Sequence, residues 1–109
     1  MPSSKAYRDF VLEQLRDLHE IRDRPMMGEY ILYYKDRIFG GIYDDRLLIK
    51  PVPAARALLP DAAEELPYET GSAMLLMDEV DDAELLCRLV EAMYPELPEP
   101  KKRGAFRRA

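Results

Sequence analysis

Residues 27–50 read MGEYILYYKDRIFGGIYDDRLLIK, and this stretch decides the fold. Tyr30 to Tyr34 and Ile38 to Tyr43 are rich in aromatic and β-branched residues, the composition of strands. Lys35-Asp36-Arg37 is a short polar turn between them. Asp44-Asp45 then separates Tyr43 from Arg46-Leu47-Leu48-Ile49-Lys50, the spacing of a tight hairpin. Both connections are too short for a crossover, so the reading is a three-stranded antiparallel meander. Apolar side chains fall on both faces of the first strand: Tyr30, Leu32 and Tyr34 on one, Ile31 and Tyr33 on the other. A sheet with one solvated face alternates apolar with polar, so this pattern predicts that something covers the second face.

Upstream, Tyr7, Val11, Leu15 and Leu18 share one helical face, which predicts a helix over about residues 4–18, with Ser3 or Ser4 as its N-cap. Arg22-Asp23-Arg24-Pro25 breaks that pattern and reads as a connection. Downstream, Ala54 to Leu59 suits a short helix, and Asp61 to Leu66 another turn. Tyr68 to Gly71 reads as a loop or brief edge strand, and Ala73 to Met77 as a fourth strand. Asp81 and Glu84 make a capping box, with Val80 and Leu85 as a hydrophobic staple, at the start of the last helix. Its apolar residues Leu85, Leu86, Leu89, Val90, Ala92 and Met93 spread wider than one sheet contact requires, predicting a second neighbour, either another helix or a subunit. Pro95 to Pro100 carries three prolines and predicts an extended linker. The organisation is a domain over residues 1–94 and a proline-containing, basic tail over 95–109, expected to be disordered.

Composition excludes several function classes. The chain has 109 residues, room for one core. Its apolar runs stop at five residues, as in Tyr30 to Tyr34, too short to span a membrane. Residues 1–20 lack a secretory signal and there is a single cysteine, Cys87, so the expected location is cytoplasmic and no internal disulfide is possible. Of 16 Lys and Arg, five lie in residues 101–109, leaving 11 against all 21 Asp and Glu in residues 1–100. An acidic body of net charge −10 repels phosphate backbones, so only the tail offers an electrostatic grip on nucleic acid.

The reactive inventory is thin: no Asn, one Gln, one His, one Cys, one Thr and three Ser. Gly40-Gly41 lacks the spacing of any phosphate-binding loop and reads as a bulge or a close approach of another group. Asp44-Asp45 and Asp78 to Asp82 hold carboxylates that can bind a metal or share a proton, but their pattern is that of turns and caps. Cys87 with His19 is no motif for a nucleophile and base. Tyr30, Tyr33, Tyr34, Tyr43 and Tyr68 suit core packing or a protein interface better than base stacking, which needs basic surroundings. No catalytic, cofactor-binding or metal residue is assigned.

The runs Met26-Met27-Gly28-Glu29-Tyr30-Ile31-Leu32-Tyr33-Tyr34, Phe39-Gly40-Gly41-Ile42 and Asp44-Asp45-Arg46-Leu47-Leu48-Ile49-Lys50 together resemble the N-terminal domain of the TfoX/Sxy family. Ser4 to Leu18 and Leu66-Pro67-Tyr68 resemble its flanking segments, so the likeness covers about residues 3–94. The resemblance implies an α+β fold, a two-layer sandwich of order α-β-β-β-α-β-α with room for an extra short strand. It also implies a link to gene regulation, since TfoX/Sxy proteins activate competence genes. The second, C-terminal domain of those regulators has no counterpart here. The expectation is therefore a non-enzymatic regulatory or protein-interaction domain, acting on a protein partner and as a homodimer. The alternatives are an accessory whose tail touches nucleic acid, and a small enzyme using Cys87 or Asp44-Asp45.

Overall fold

In the computed structural model, which describes residues 4–67 and 71–98, the expected meander is one strand longer than the sequence pattern predicts. Strands β1 (Ile21–Met26), β2 (Glu29–Tyr34), β3 (Arg37–Tyr43) and β4 (Arg46–Ile49) run antiparallel in chain order. The run Arg22 to Pro25 is thus a strand and not a connection. It stands at the sheet edge, where Pro25 needs no ladder partner for its missing N–H.

The three hairpins share one turn chemistry. Met27 and Gly28, Lys35 and Asp36, and Asp44 and Asp45 all have positive φ, between 49° and 87°. Positive φ at both central residues is the type I′ geometry whose twist matches that of the flanking strands.

After β4 the chain forms helix α2 (Pro53–Leu58), then β5 (Glu64–Glu65), β6 (Met74–Leu76) and helix α3 (Ala83–Met93). The first helix, α1, is Lys5–Gln14, shorter than its apolar periodicity suggests, and looser turns carry Leu15 and Leu18 into the core. Sheet order is β1-β2-β3-β4-β6-β5, all antiparallel. The expected fourth strand is β6, paired with β4 through Leu48↔Leu76 and Ile49↔Leu75. Where a helical turn was expected near Asp61 to Leu66, Glu64 and Glu65 pair with Leu75 and Met74 instead. The fold is α+β, with two strands more than the expected order.

The helices lie against one face. Val11, Leu15, Leu32, Phe39, Ile42, Leu47, Ile49, Leu75, Leu86, Leu89 and Met93 are fully buried or nearly so in one continuous core. Each such side chain contributes about 1.5–3 kcal/mol by leaving water. The second neighbour predicted for α3 is within the chain: Gln14 of α1 donates from Nε2 to the Val80 carbonyl at 3.0 Å, and Cys87 donates from Sγ to the Gln14 carbonyl at 3.5 Å. The cap of α3 is displaced by one residue from the predicted box. Asp82 is the N-cap, its Oδ1 accepting from the Leu85 N–H at 3.0 Å. Beyond α3 the expected extended segment begins with a 3-10 turn, Tyr94–Glu96, before Leu97 becomes extended. Arg37 holds this end: its guanidinium lies 4.6 Å from the Tyr94 ring centre and donates to the Leu97 carbonyl at 3.1 Å.

No helix among the described residues is long and apolar enough to cross a membrane. Tyr68, the rest of residues 68–70, and the basic tail with Lys101, Lys102, Arg103, Arg107 and Arg108 lie outside the described residues.

Candidate interaction surface

Opposed residues of antiparallel strands point to the same face, which assigns the side away from the helices. Arg22, Arg24 and Met26 of β1 stand opposite Tyr33, Ile31 and Glu29 of β2. Next come Ile38 and Gly41 of β3, opposite Tyr33 and Ile31, and then Leu48 of β4, opposite Gly41 and Leu76. A second, smaller apolar cluster forms there: Ile31, Tyr43 and Leu48 are buried, with Tyr33, Met74 and Leu76 packed around them. The apolar second face read from β2 is therefore present, and among the described residues no helix supplies the cover expected for it.

Gly41 makes this arrangement possible. A Cβ at that position would lie 2.6 Å from the Tyr43 ring and 2.8 Å from the Tyr30 carbonyl oxygen. The ring of Tyr43 thus lies flat across the glycine. Gly40 has the same requirement on its own side, where a Cβ would approach the Leu48 carbonyl oxygen. A register shift between Leu32 and Tyr33 places a bulge beside it. Bulge and close approach, the two structural readings of the glycine pair, both occur.

The border of this face is charged and knit together. Arg22 lies over Tyr33, 5.2 Å from the ring centre, and pairs with Asp36 at 2.7 Å. On the core side of β1, Asp23 pairs with Arg8 at 3.4 Å. Across the sheet, Arg46 pairs with Glu65 and donates to the Leu66 carbonyl at 3.3 Å. Charges and a proline on β1, and a two-residue β5 at the other margin, are the devices that discourage edge-to-edge strand addition.

One residue breaks the pattern of economical packing. Met27, at the tip of the β1–β2 hairpin, is 95% exposed with φ 54°. A left-handed backbone costs a residue with a Cβ about 1 kcal/mol or more. Its neighbour Met26 is roughly half exposed on the uncovered face, and Ile38 is exposed at 38%. The Met27 backbone closes the type I′ turn, while its apolar, adaptable side chain stands in solvent and adds nothing to the core. The sequence pattern places Met27 inside a strand-forming block; its turn position and near-complete exposure are visible only in three dimensions.

The other candidates are not brought together. Cys87 is half-buried against α1, and burial raises its thiol pKa, with Asp17 and Glu91 adding to the shift. His19 is exposed in the turns after α1, and no hydrogen bond joins the two among the described residues. Asp45 accepts from the Ser4 N–H at 2.8 Å, and the Asp44 N–H donates to Glu29 at 3.1 Å, so both carboxylate positions belong to the turn. Among the described residues no group of three His, Cys, Asp or Glu is placed to hold a metal ion. Among the described tyrosines the contacts are those of structural aromatics: Tyr34 meets Tyr94 edge to face at 5.5 Å, Arg8 lies over Tyr30, and Tyr33 packs on the buried Tyr43 cluster.

Comparison with known proteins places this architecture. No solved structure matches the chain significantly. A protein of Spirochaeta aurantia described as an uncharacterized 12.7 kDa protein in the trpE 5' region is 30% identical over 106 residues, covering 96% of this chain and 92% of that protein. The model of the TfoX N-terminal domain matches residues 13–97, from the last two residues of α1 to the extended residue after the 3-10 turn. With most of its length matched, the chain belongs to the TfoX N-terminal domain family.

Proposed function

We propose that this domain is a non-enzymatic interaction module whose uncovered sheet face docks a protein, and that the partner is a second copy of the chain. The observation that carries the reading is Met27, held in solvent at a strained backbone position beside Met26, Ile38 and the Ile31–Tyr43–Leu48 cluster. The charged, proline-bearing edge directs association to the face and away from strand addition. Six strands about 4.8 Å apart and up to seven residues long make a face of about 500 Å². Two such faces bury about 1,000 Å² together, the lower limit for a specific interface, so the association is a reversible one that depends on concentration. The regulatory side of the reading comes from the family, whose two-domain members activate competence genes; here protein contact would serve that kind of control.

Light scattering of the full chain from about 10 to about 300 µM tests the association, a range set by the interface size. A concentration-dependent mass approaching twice the monomer is expected, and Met27→Asp with Ile38→Asp shifts it back to monomer. A strict monomer over the whole range refutes the second copy as partner.

A further inference from the structure

One end of the molecule holds a groove of about 280 Å³ between the end of α2, the loop after it and the end of β6. Its lining is apolar at the half-buried Leu58 and Leu59 and the buried Met77, and acidic at the exposed Asp61, Asp78 and Glu79. Asp9, Glu13, Asp23, Asp36, Glu64 and Glu65 all have basic partners. The three groove carboxylates, like the exposed Asp17, Glu20 and Glu91, make no ion pair or side-chain hydrogen bond among the described residues, but only they border apolar lining. They are not placed to hold a metal ion either. Carboxylates without partners around apolar surface fit a ligand that is cationic and apolar at once, which is the chemistry of a basic peptide bearing a large side chain.

The chain carries such a peptide. Residues 101–109 hold five Lys and Arg around a single aromatic, Phe106, with no acid among them. The described chain ends close enough for this segment to reach the groove. Glu96 Oε1 accepts from the Ala54 N–H at 2.7 Å, at the first turn of α2, and Leu97 is fixed by Arg37. From there α2 runs six residues, about 9 Å, to Leu58 at the groove. The eight residues from 99 to 106 reach up to about 27 Å when extended, so the span is covered with slack.

We propose that residues 101–108 dock in the groove of their own chain, with Phe106 on the apolar lining and the basic side chains on Asp61, Asp78 and Glu79. Exposed ion pairs are individually weak, but the tether supplies a millimolar effective concentration that a free peptide lacks. Docked, the tail's five positive charges face the acidic body and are withheld from phosphate or acidic partners outside. This contact does not involve Met27 and does not depend on the dimer reading.

Zero-length carbodiimide coupling of the full chain, with peptide mapping of the monomer band, tests it. Lys101 and Lys102 are expected to join Asp61, Asp78 or Glu79 at least about fivefold more often than the exposed Asp17, Glu20 and Glu91, as tethering to one site requires. Raising salt from about 0.02 M to about 0.5 M shortens the Debye length and lowers that yield severalfold. Phe106→Ser keeps every coupling group and is expected to reduce the groove links by at least half. Links spread evenly over exposed carboxylates, links unchanged in Phe106→Ser, or no tail links at all overturn the proposal. Links confined to a dimer band also overturn it, and assign the groove to the tail of a second copy.

Discussion

Replacing Gly40 by alanine tests whether β3 and β4 are as closely apposed as the structure places them. The added Cβ would come within 2.9 Å of the Ile49 Cα and closer still to the Leu48 carbonyl oxygen. Neither atom can swing away, because both are backbone. Strand β4 is itself held on its far side by β6 through Leu48↔Leu76 and Ile49↔Leu75. Relief requires β4 to move by most of an ångström, which loosens the Gly40↔Ile49 pairing and displaces Leu47 and Ile49 in the core. Overpacking of this kind costs about 1–3 kcal/mol and a weakened ladder bond about 1 more. The reduced entropy of the unfolded chain returns less than 1 kcal/mol. The expected net loss is about 1–3.5 kcal/mol, a sizeable part of the roughly 5–15 kcal/mol that holds a domain of this kind together.

Gly41→Ala provides the internal comparison. Its Cβ meets the Tyr43 ring at 2.6 Å, which can rotate outward, and the Tyr30 carbonyl at 2.8 Å, which cannot. The cost is expected to be smaller, about 1–2 kcal/mol, and Tyr43→Ala in the same chain should relieve only the ring's share. Urea unfolding followed by circular dichroism measures both, with constant m-value as the check that the native state is unchanged. At about 4–8 °C per kcal/mol, Gly40→Ala should also lower Tm by about 5 °C or more. A Gly40→Ala midpoint equal to that of the parent, or a larger loss at Gly41, refutes the apposition argued here.

The remaining expectations rest on the turns and the titrating groups. Met27→Asn, which suits positive φ, should stabilise the fold by about 0.5–1 kcal/mol while weakening dimerisation. Lys35→Asn in the next hairpin should be close to neutral, because Lys35 Nζ lies 5.2 Å from the Tyr34 ring centre and 5.3 Å from that of Tyr94, contacts worth about as much as the backbone gain. Thermal melts of the two variants separate these outcomes. The Tyr7 phenol is raised by burial, with Asp45 and Asp78 adding to the shift and a backbone hydrogen bond at Leu47 opposing it. The unfolded chain then loses its proton first, so stability holds below about pH 10 and falls as pH rises through the folded value. Tyr7→Phe should flatten that alkaline slope in urea midpoints measured from pH 8 to 11, an interval chosen around about pH 10. The raised Cys87 thiol predicts slower disulfide-reagent labelling at pH 8 than a free cysteine gives, and Glu91→Gln should narrow the gap by removing one of the two nearby charges.

What sequence reasoning saw and missed follows from which signals are local. The β2–β4 meander is legible because Tyr30 to Tyr34, Ile38 to Tyr43 and Arg46 to Ile49 carry strand composition, and their turns have hairpin length. Strand β1 is illegible because its identity comes from its neighbour. Arg22 and Arg24 point to the open face, Asp23 pairs with Arg8, and Pro25 stands where no ladder donor is required. Strand β5 is two glutamates defined wholly by their pairing with β6. Asp82 displaces Asp81 as the cap through a one-residue difference that the acidic run Asp78 to Asp82 leaves open. The two-sided apolar pattern of β2 did announce the apolar cluster on the second face, but Met27 did not stand out, because an exposed methionine in a turn and a buried one in a strand have the same letter.

The failure at β1 also bears on how the domain associates. A strand rich in apolar residues at that edge would have been easy to recognise and would have offered its free N–H and C=O groups to another chain. The features that hid β1 from pattern reading, alternating charge and a proline, are those that close this route. The short β5 closes the other edge. Apolar surface remains where neither device operates, on the face bearing Met26, Tyr33, Ile38, Met74 and Leu76 and at the Met27 tip beside it. Association driven by burial must therefore use the face, and its strength should follow the apolar area removed from water with little dependence on salt. The groove on the opposite charge principle, three carboxylates awaiting a basic segment, should respond to salt strongly. A single salt series, read by light scattering for the face and by cross-linking for the groove, should move the second and leave the first in place. If both respond alike, the two surfaces are not the separate devices that their chemistry implies.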